Sequence, residues 1–158
     1  MSTIQCPYCG SNMISIAIEI NIHMPVGGVN IRNLERIFPR RCDICGRMFW
    51  LESPNLDYLL NNMELEKNVF EFLKGEFGVS RYRDFLKRHF IGFTKRYGKD
   101  SIKGIIPGLL KRSISIYDYI FEYKGKRYFI SCYRDRKTKC YECYQITPVV
   151  GEENEKAT

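Results

Sequence analysis

Residues 113–123 read Ser113-Ile-Ser-Ile-Tyr-Asp-Tyr-Ile-Phe-Glu-Tyr123, an alternation of two sets of side chains. Alternate side chains of a strand lie on opposite faces, so this pattern predicts an extended strand. Lys124-Gly125-Lys126 is a turn signal, and residues 127–134 and 140–147 predict two further strands separated by a turn at 135–139. The C-terminal part of the chain therefore predicts a three-stranded antiparallel meander.

One face of the meander is aromatic. Its members are Tyr117, Tyr119, Phe121, Tyr123 and Tyr128. With Gly125 and Lys126 as the two loop residues, we expect Tyr123 to lie opposite Tyr128 and Phe121 opposite Ile130. This face can pack on helices as part of the core, or it can stack unpaired bases. We favour the core, because the helices ahead of the meander need an apolar partner surface.

Ahead of the meander, apolar residues at helical spacing predict two amphipathic helices. Ser53-Pro54 is expected to cap the first helix, and Gly75 and Gly78 are expected to end it. The second helix is predicted from Ser80 to Tyr97. The two helices are expected to pack on the meander. The fold class that follows is α+β, with two amphipathic helices and a C-terminal three-stranded antiparallel meander after a β-rich N-terminal third.

The N-terminal third is β-rich. Isoleucine alternates with other residues over residues 14–22, which predicts a strand with one apolar face. A turn follows at Pro25–Gly28, and residues 29–38 are expected to return as a strand or an irregular segment. Residues 48–51 predict a short buried strand.

Two cysteine pairs flank this hairpin, Cys6-Pro-Tyr-Cys9-Gly10 and Cys42-Asp-Ile-Cys45-Gly46. A C-x2-C pair followed by Gly turns the backbone so that both thiolates point inward, and two pairs provide the four sulfur ligands that zinc prefers. Two disulfides or an iron site of rubredoxin type are the alternatives. A closed set of four thiolates has no open coordination position, so we expect one structural zinc ion.

These residues, with Phe49 a few positions after the second pair, resemble the zinc-ribbon family. The resemblance covers residues 4–52. It implies a ribbon fold with Cys6, Cys9, Cys42 and Cys45 as the metal ligands. Ribbons of this kind occur in transcription factors, RNA polymerase subunits, ribosomal proteins, primases and transposases, so the resemblance implies a fold and a metal rather than one function.

Three further cysteines lie in the meander: Cys132, Cys140 and Cys143. Cys140 and Cys143 repeat the C-x2-C spacing, which raises the possibility of a second metal site. Positions 140 and 143 of one strand face opposite ways, which disfavours joint ligation. Such a site would also need a fourth ligand, and only His23 or His89 could supply an imidazole. The alternatives are a Cys132–Cys140 disulfide or inert thiols. Inert thiols are the favoured interpretation.

Charge divides the 158-residue chain unevenly. The formal net charge is +7, and residues 79–144 alone carry 17 basic and six acidic side chains. The expected domains are a zinc ribbon at 1–52, a domain of helices and meander at 53–150, and an acidic tail at 151–158. A polyanion is expected to bind the basic stretch. The candidate nucleic-acid contacts are Arg81, Lys87, Arg88, Lys95, Arg96, Lys124, Lys126, Arg127, Arg134 and Arg136.

We therefore expect a non-enzymatic nucleic-acid-binding protein, most simply a DNA-binding transcriptional regulator, with DNA preferred over RNA. The alternative partner is a protein complex of transcription, translation or replication, on which the chain would dock as an adaptor. No apolar run of about 18 residues is present, so we expect a cytoplasmic protein without a membrane partner. Its 18 Ile against two Ala are typical of an AT-rich genome, such as that of a thermophilic archaeon or its virus.

An enzyme is the least favoured class. Asp118, Glu122 and Lys124 are similar to the (D/E)-x-K motif of metal-dependent nucleases. That motif also needs an acidic residue upstream on another strand, and the candidate, Asp100, has no supporting sequence context. Neither histidine has a partner pattern that would indicate a catalytic triad.

Overall fold

A computed structural model describes residues 4–16, 39–97, 115–135 and 137–149. Within them the chain has eight strands and three helices. The strands are β1 (Ile14–Ile16), β2 (Arg40–Cys42), β3 (Met48–Glu52), β4 (Met63–Leu65), β5 (Phe90–Tyr97), β6 (Ser115–Tyr123), β7 (Lys126–Arg134) and β8 (Tyr141–Pro148). The helices are α1 (Leu56–Asn61), α2 (Lys67–Phe77) and α3 (Tyr82–Arg88).

The described strands form both parallel and antiparallel pairs. The chain divides into two compact units, and the boundary lies between Trp50 and Leu51. The strand order is β1-β2-β3 in the first unit and β5-β6-β7-β8-β4 in the second. β4 runs parallel to β8, whereas β5 to β8 pair antiparallel in succession. The predicted α+β fold with a three-stranded meander is therefore wrong, because the meander strands are only part of a larger mixed sheet.

The predicted first helix is divided into α1, β4 and α2. Asn55, rather than Ser53, caps α1, and its side chain accepts a hydrogen bond from the Tyr58 amide at 3.1 Å. Asn62 ends α1 by donating its backbone and side-chain N–H groups to the Tyr58 carbonyl. Met63 then begins a short strand opposite Tyr141. The pairing of β4 with β8 joins residues far apart in the sequence, so it cannot be predicted from the local spacing of apolar residues.

The predicted second helix ends nine residues early. α3 ends at Arg88, and residues 90–97 form β5, paired with β6 from Phe90↔Phe121 to Tyr97↔Ser115. Phe, Tyr and Thr in this segment favour strands, and the register shifts at a bulge between Phe90 and Gly92. The aromatic residues of β5 are spaced three and four apart, which is why they imitate a helical stripe.

The hairpin between β6 and β7 differs from the predicted register by two residues. Tyr123 pairs with Lys126 and Phe121 with Tyr128, so the loop residues are Lys124 and Gly125. Both have positive φ, 52° and 77°. This is the backbone of a type I′ turn, whose twist matches that of the flanking strands.

The core of the second unit lies between the three helices and the aromatic face of the sheet. Tyr119 and Phe121 are fully buried, and Tyr128 is nearly so. They form one contiguous core with Leu59, Leu73 and Leu86 from the helices. The Tyr119 hydroxyl donates to the Leu86 carbonyl at 2.6 Å. The face is therefore core, and its buried rings are not available to stack on bases.

The first unit is a short antiparallel ribbon in its described part. β2 pairs with β1 from Ile14↔Cys42 to Ile16↔Arg40, and with β3 through Arg40↔Phe49. β3 is not a fully buried strand, since Phe49 is buried while Met48 is exposed. The remainder of the predicted strand 14–22, its turn and the return segment 29–38 lie outside the described residues, as does the acidic tail.

Gly75 in α2 allows a direct test of the helix. A Cβ at this position would meet no atom within 4 Å, and the backbone is helical. Gly75→Ala is expected to raise the free energy of unfolding by about 0.5–1 kcal/mol, because alanine loses less conformational entropy in a helix. Urea unfolding followed by circular dichroism measures it.

Gly78→Ala is the matched control. Gly78 ends α2 with φ of 66°, and its amide donates to the Lys74 carbonyl at 3.0 Å. An alanine there is strained by about 1–2 kcal/mol and should lower stability. If both variants shift stability in the same direction, the end of α2 is placed wrongly.

Candidate metal centre

The first knuckle is a tight turn over residues 6–10. The Gly10 amide donates to the Cys6 carbonyl, and the Cys6 amide donates to the Ser11 carbonyl, both at 2.8 Å. Gly10 has φ of 86°, a conformation that glycine adopts without a steric penalty. The chain therefore reverses directly after Cys9.

The second knuckle repeats this pattern over residues 42–46. The Gly46 amide donates to the Cys42 carbonyl at 2.8 Å, and the Cys42 amide donates to the Arg47 carbonyl at 3.0 Å. Gly46 has φ of 77°. Two copies of one local geometry thus present four thiols, as the C-x2-C-Gly spacing predicts.

The four sulfurs of the knuckles lie close enough to share one ion. Cys6 Sγ is 3.7 Å from Cys45 Sγ, and Cys9 Sγ is 3.5 Å from Cys42 Sγ. All four lie within 4.8 Å of one another. A tetrahedral ion with metal–sulfur bonds of about 2.3 Å sets its ligands about 3.8 Å apart, so the spacing fits. This four-cysteine group can hold a metal ion.

Backbone amides support the sulfurs. The Cys45 amide donates to Cys42 Sγ at 3.4 Å. In the first knuckle, Cys6 receives hydrogen bonds from the backbone of Tyr8 and Cys9. Such donors favour thiolates and orient them, which is the outer-shell support that metal ligands require.

The protein groups alone shift the thiol pKa values in opposite directions. The hydrogen bond from Cys6, with smaller contributions from Arg47 donors, lowers the pKa of Cys45 to about 4 against the opposing effect of burial. Burial raises the pKa of Cys9 to about 11. The hydrogen bond with Cys45, together with burial, raises the pKa of Cys6. The four sulfurs do not all ionise unaided, whereas a bound cation favours the thiolate at each of them.

Aromatic residues pack beside the sulfurs. Tyr8, inside the first knuckle, and Phe49 are both buried, with ring centroids 5.9 Å apart in an edge-to-face arrangement. The Arg47 guanidinium lies 5.2 Å from the centre of the Tyr8 ring. The family resemblance includes an aromatic at position 49, whereas no motif indicates the contact of Arg47 with Tyr8.

The three remaining cysteines do not form a second four-ligand centre in the described residues. Cys132 and Cys143 are buried and lie opposite each other on β7 and β8. The Cys140 thiol donates instead to the Asn62 carbonyl at 2.9 Å. All three are free thiols, so the Cys132–Cys140 disulfide is not formed.

Cys140 also lies within 4.8 Å of the carboxylates of Glu64 and Glu142. Burial and the neighbouring Glu64 carboxylate raise the pKa of Glu142. No imidazole joins this group, because His89 packs against Phe85 and Tyr123, and His23 lies outside the described residues.

Two predicted basic segments meet at one end of the second unit. The Glu122 amide donates to the His89 carbonyl at 2.9 Å, and the His89 and Tyr123 rings are 5.1 Å apart. These contacts bring the last turn of α3 next to the β6–β7 turn. We call Arg88, Lys124 and Lys126, all exposed, the basic end.

Arg81, Arg88 and Lys95 recur every seven residues and would form one stripe along the predicted second helix, but they do not lie on one helix face. Arg81 precedes α3 and is exposed, whereas Lys95 lies on β5 and is half-buried. The stripe was inferred from a continuous helix to Tyr97, and the strand at 90–97 interrupts it.

Several predicted contact residues are held in ion pairs. Lys87 lies 2.6 Å from Asp57, Arg127 lies 3.0 Å from Glu122, and Arg96 lies 2.6 Å from Asp118. The Arg134 guanidinium lies over the Tyr141 ring. Arg136 lies outside the described residues.

The acidic residues of the nuclease-like motif make structural contacts. Asp118 is fully buried, and it accepts hydrogen bonds from Arg96 and from the Ser131 hydroxyl, the latter at 2.9 Å. Glu122 pairs with Arg127. Lys124 is a turn residue on the basic end.

Comparisons with protein-family models, with curated proteins and with solved structures find no match for this chain. In the described residues, no helix has the length and apolar character needed to cross a bilayer.

Proposed function

We propose that this chain is a zinc-binding, non-enzymatic nucleic-acid-binding protein, acting as a DNA-binding transcriptional regulator. Zinc is the proposed ion because four thiolates suit it and the sulfur spacing matches its tetrahedral bond length. An iron site with the same ligands is the alternative, and metal analysis with an absorption spectrum separates the two.

The observation that carries the nucleic-acid proposal is the basic end. Two segments that are distant in sequence, residues 87–89 and 122–126, converge there and present Arg88, Lys124 and Lys126 to solvent. Three cations on one end of a unit match the regular charges of a phosphate backbone. With the aromatic face buried, we expect contacts to phosphates to dominate over base stacking, which favours duplex DNA.

Changing the three cations together tests this proposal. The triple variant Arg88→Gln, Lys124→Gln and Lys126→Gln is expected to bind duplex DNA about 30- to 1,000-fold more weakly at about 0.1 M salt. Its log–log salt slope should be shallower by about 2.7, because three fewer counterions are released. Fluorescence anisotropy with a labelled mixed-sequence duplex at several salt concentrations measures both.

The control removes the same charge elsewhere. Lys67→Gln, Lys137→Gln and Lys139→Gln alter exposed lysines outside the basic end. If the two triple variants lose the same affinity, only net charge matters and the basic end is not the contact surface. If the parent chain binds neither duplex, single strand nor RNA at low salt, nucleic-acid binding itself is wrong.

An adaptor that docks on a transcription, translation or replication complex is the second candidate, supported by exposed apolar residues of the first unit. Met13, Ile44 and Met48 have exposed fractions of 59%, 46% and 45%. The Asp43 amide donates to the Met13 carbonyl at 2.8 Å, which places Met13 beside the second knuckle. Co-purification with a large complex, together with weak binding to bare DNA, would favour this function.

A further inference from the structure

Cys132 on β7 and Cys143 on β8 lie directly opposite each other in the core of the second unit. They are partners in the antiparallel register, and both belong to the core between the sheet and the helices, so their side chains share one face. Both are free thiols. Antiparallel partners have Cα atoms about 4.5–5.5 Å apart, inside the range of about 4.4–6.8 Å that a disulfide spans. The strand pairing therefore sets these two cysteines at a separation that suits a disulfide.

Weak hydrogen bonds hold the two thiols in their reduced form. The Cys132 thiol donates to the Tyr117 carbonyl at 3.4 Å, and the Cys143 thiol donates to the Tyr141 carbonyl at 3.8 Å. A thiol is a weak donor, so the loss of both contacts on oxidation costs little.

The pair lies close to the open end of the β7–β8 hairpin. Both cysteines are fully buried, so a reagent reaches them only when the strands separate locally. Two register pairs, Tyr133↔Glu142 and Arg134↔Tyr141, stand between the cysteines and the loop at 135–140. Opening of this end exposes both thiols together while the rest of the sheet stays paired.

Cys140 differs from this pair in its place and in its partner. It precedes β8 and is only partly buried, and its thiol donates to the Asn62 carbonyl at 2.9 Å. Cys143, rather than Cys140, is the register partner of Cys132. The structure therefore favours a different bridge from the Cys132–Cys140 disulfide considered from the sequence.

We propose that Cys132 and Cys143 form a reversible cross-strand disulfide when the chain meets a low-molecular-weight disulfide. One cysteine thiolate attacks the S–S bond of the oxidant and releases one small thiol. The other cysteine thiolate then attacks the mixed disulfide, forms the Cys132–Cys143 bond and releases the second small thiol. Each cysteine loses its proton, and the oxidant is reduced to two thiols.

The bridge would lock the β7–β8 hairpin. It closes the loop of residues 132–143, and a disulfide over a loop of this length raises the ratio of folded to unfolded chain about 10- to 100-fold. The inference concerns the second unit alone and is independent of nucleic-acid binding and of the metal centre.

Peptide mapping of the oxidised full-length chain tests the bridge. The chain is incubated with oxidised glutathione, its remaining thiols are blocked with N-ethylmaleimide, and it is digested without reduction. Trypsin cuts after Arg134, and a glutamyl endoprotease cuts after Glu142, so the three cysteines fall on separate peptides. Mass spectrometry should find the Cys132 and Cys143 peptides linked and lighter by two hydrogens. The oxidised chain should also unfold at a higher urea concentration than the reduced chain.

Two single variants make the result specific. Cys140→Ala should keep both the linked peptides and the stabilisation by the oxidant. Cys132→Ala should lose the linked peptides, and its urea midpoint should no longer rise on oxidation. If Cys132→Ala does not fold, Cys140→Ala still decides the partner, because Cys132 and Cys143 are then the two thiols left in the second unit.

A bridge that uses Cys140 would overturn the proposal. Glutathione adducts at Cys132 and Cys143 without a link between them would overturn it as well. So would recovery of both cysteines as blocked thiols when Cys140 of the same sample carries glutathione, because the oxidant would then have reacted without forming the bridge.

Discussion

Asp118→Ala is expected to lower the free energy of unfolding of the second unit by about 3–5 kcal/mol. The Asp118 side chain is 1% exposed and accepts two hydrogen bonds from the Arg96 guanidinium, at 2.6 Å and 3.3 Å. Its removal leaves the Arg96 charge in a site where it is only 28% exposed, and takes an acceptor from Ser131. Urea unfolding followed by far-ultraviolet circular dichroism measures the loss.

Two further variants make this result specific. Glu122→Ala removes the acidic partner of the more exposed Arg127 pair and should cost only about 0–1 kcal/mol. Arg96→Met combined with Asp118→Leu should cost less than Asp118→Ala alone, since no unpaired charge remains buried. An Asp118→Ala variant as stable as Glu122→Ala would show that the buried pair is not formed.

Cys42→Ser should release the ion and unfold the metal centre. Cys42 is fully buried and carries one of the four clustered sulfurs. A structural zinc site of this type contributes about 10–16 kcal/mol of binding free energy, which is also folding free energy. The single Trp of the chain, Trp50, is half-buried at the end of the first unit, so its fluorescence should shift to the red.

Cys140→Ser provides the matched control for this prediction. Its thiol belongs to the second unit and donates to a carbonyl, so the substitution should leave the metal content and the Trp50 spectrum unchanged. Retention of the ion and of the parent spectrum in Cys42→Ser would contradict a four-thiolate centre.

The metal centre could be predicted from sequence because its signals are local. Each knuckle needs two cysteines with two residues between them and a glycine directly after the second, and Gly10 and Gly46 both adopt the positive φ that this turn requires. The contact of Arg47 with the Tyr8 ring could not be predicted, because the two residues are far apart in sequence.

The sheet could be predicted only in part. The alternation in β6 is visible in sequence, but Phe90–Tyr97 is compatible with a helical stripe until its pairing with β6 is known. β4 is three residues long, and its parallel pairing with β8 joins Met63 to Tyr141. Such contacts join residues that no short window contains together.

The hairpin register shows how one turn residue changes a prediction. A glycine followed by a lysine is an acceptable loop pair, but the turn instead uses Lys124 and Gly125, both at positive φ. Lysine rarely adopts a positive φ, so residue preferences argue against Lys124 as a loop residue and favour the incorrect pair of Gly125 and Lys126. The shift of two residues preserves the faces, which is why the aromatic face was predicted although its partners were not.

The excess of positive charge could be predicted from the sequence, but the location of the exposed basic residues could not. Arg96 and Arg127 count toward the excess of positive charge, but the structure commits them to Asp118 and Glu122. The basic end forms because α3 ends at Arg88 and this end of the helix lies next to the β6–β7 turn. A charge count cannot distinguish these two environments.

Native mass spectrometry of the purified full-length chain, with elemental analysis of the same sample, tests the central claim most directly. The account predicts one zinc ion per chain and, after denaturation and chelation, seven alkylatable thiols from the seven cysteines. A chain that carries no metal and has paired cysteines within residues 6–45 would contradict it.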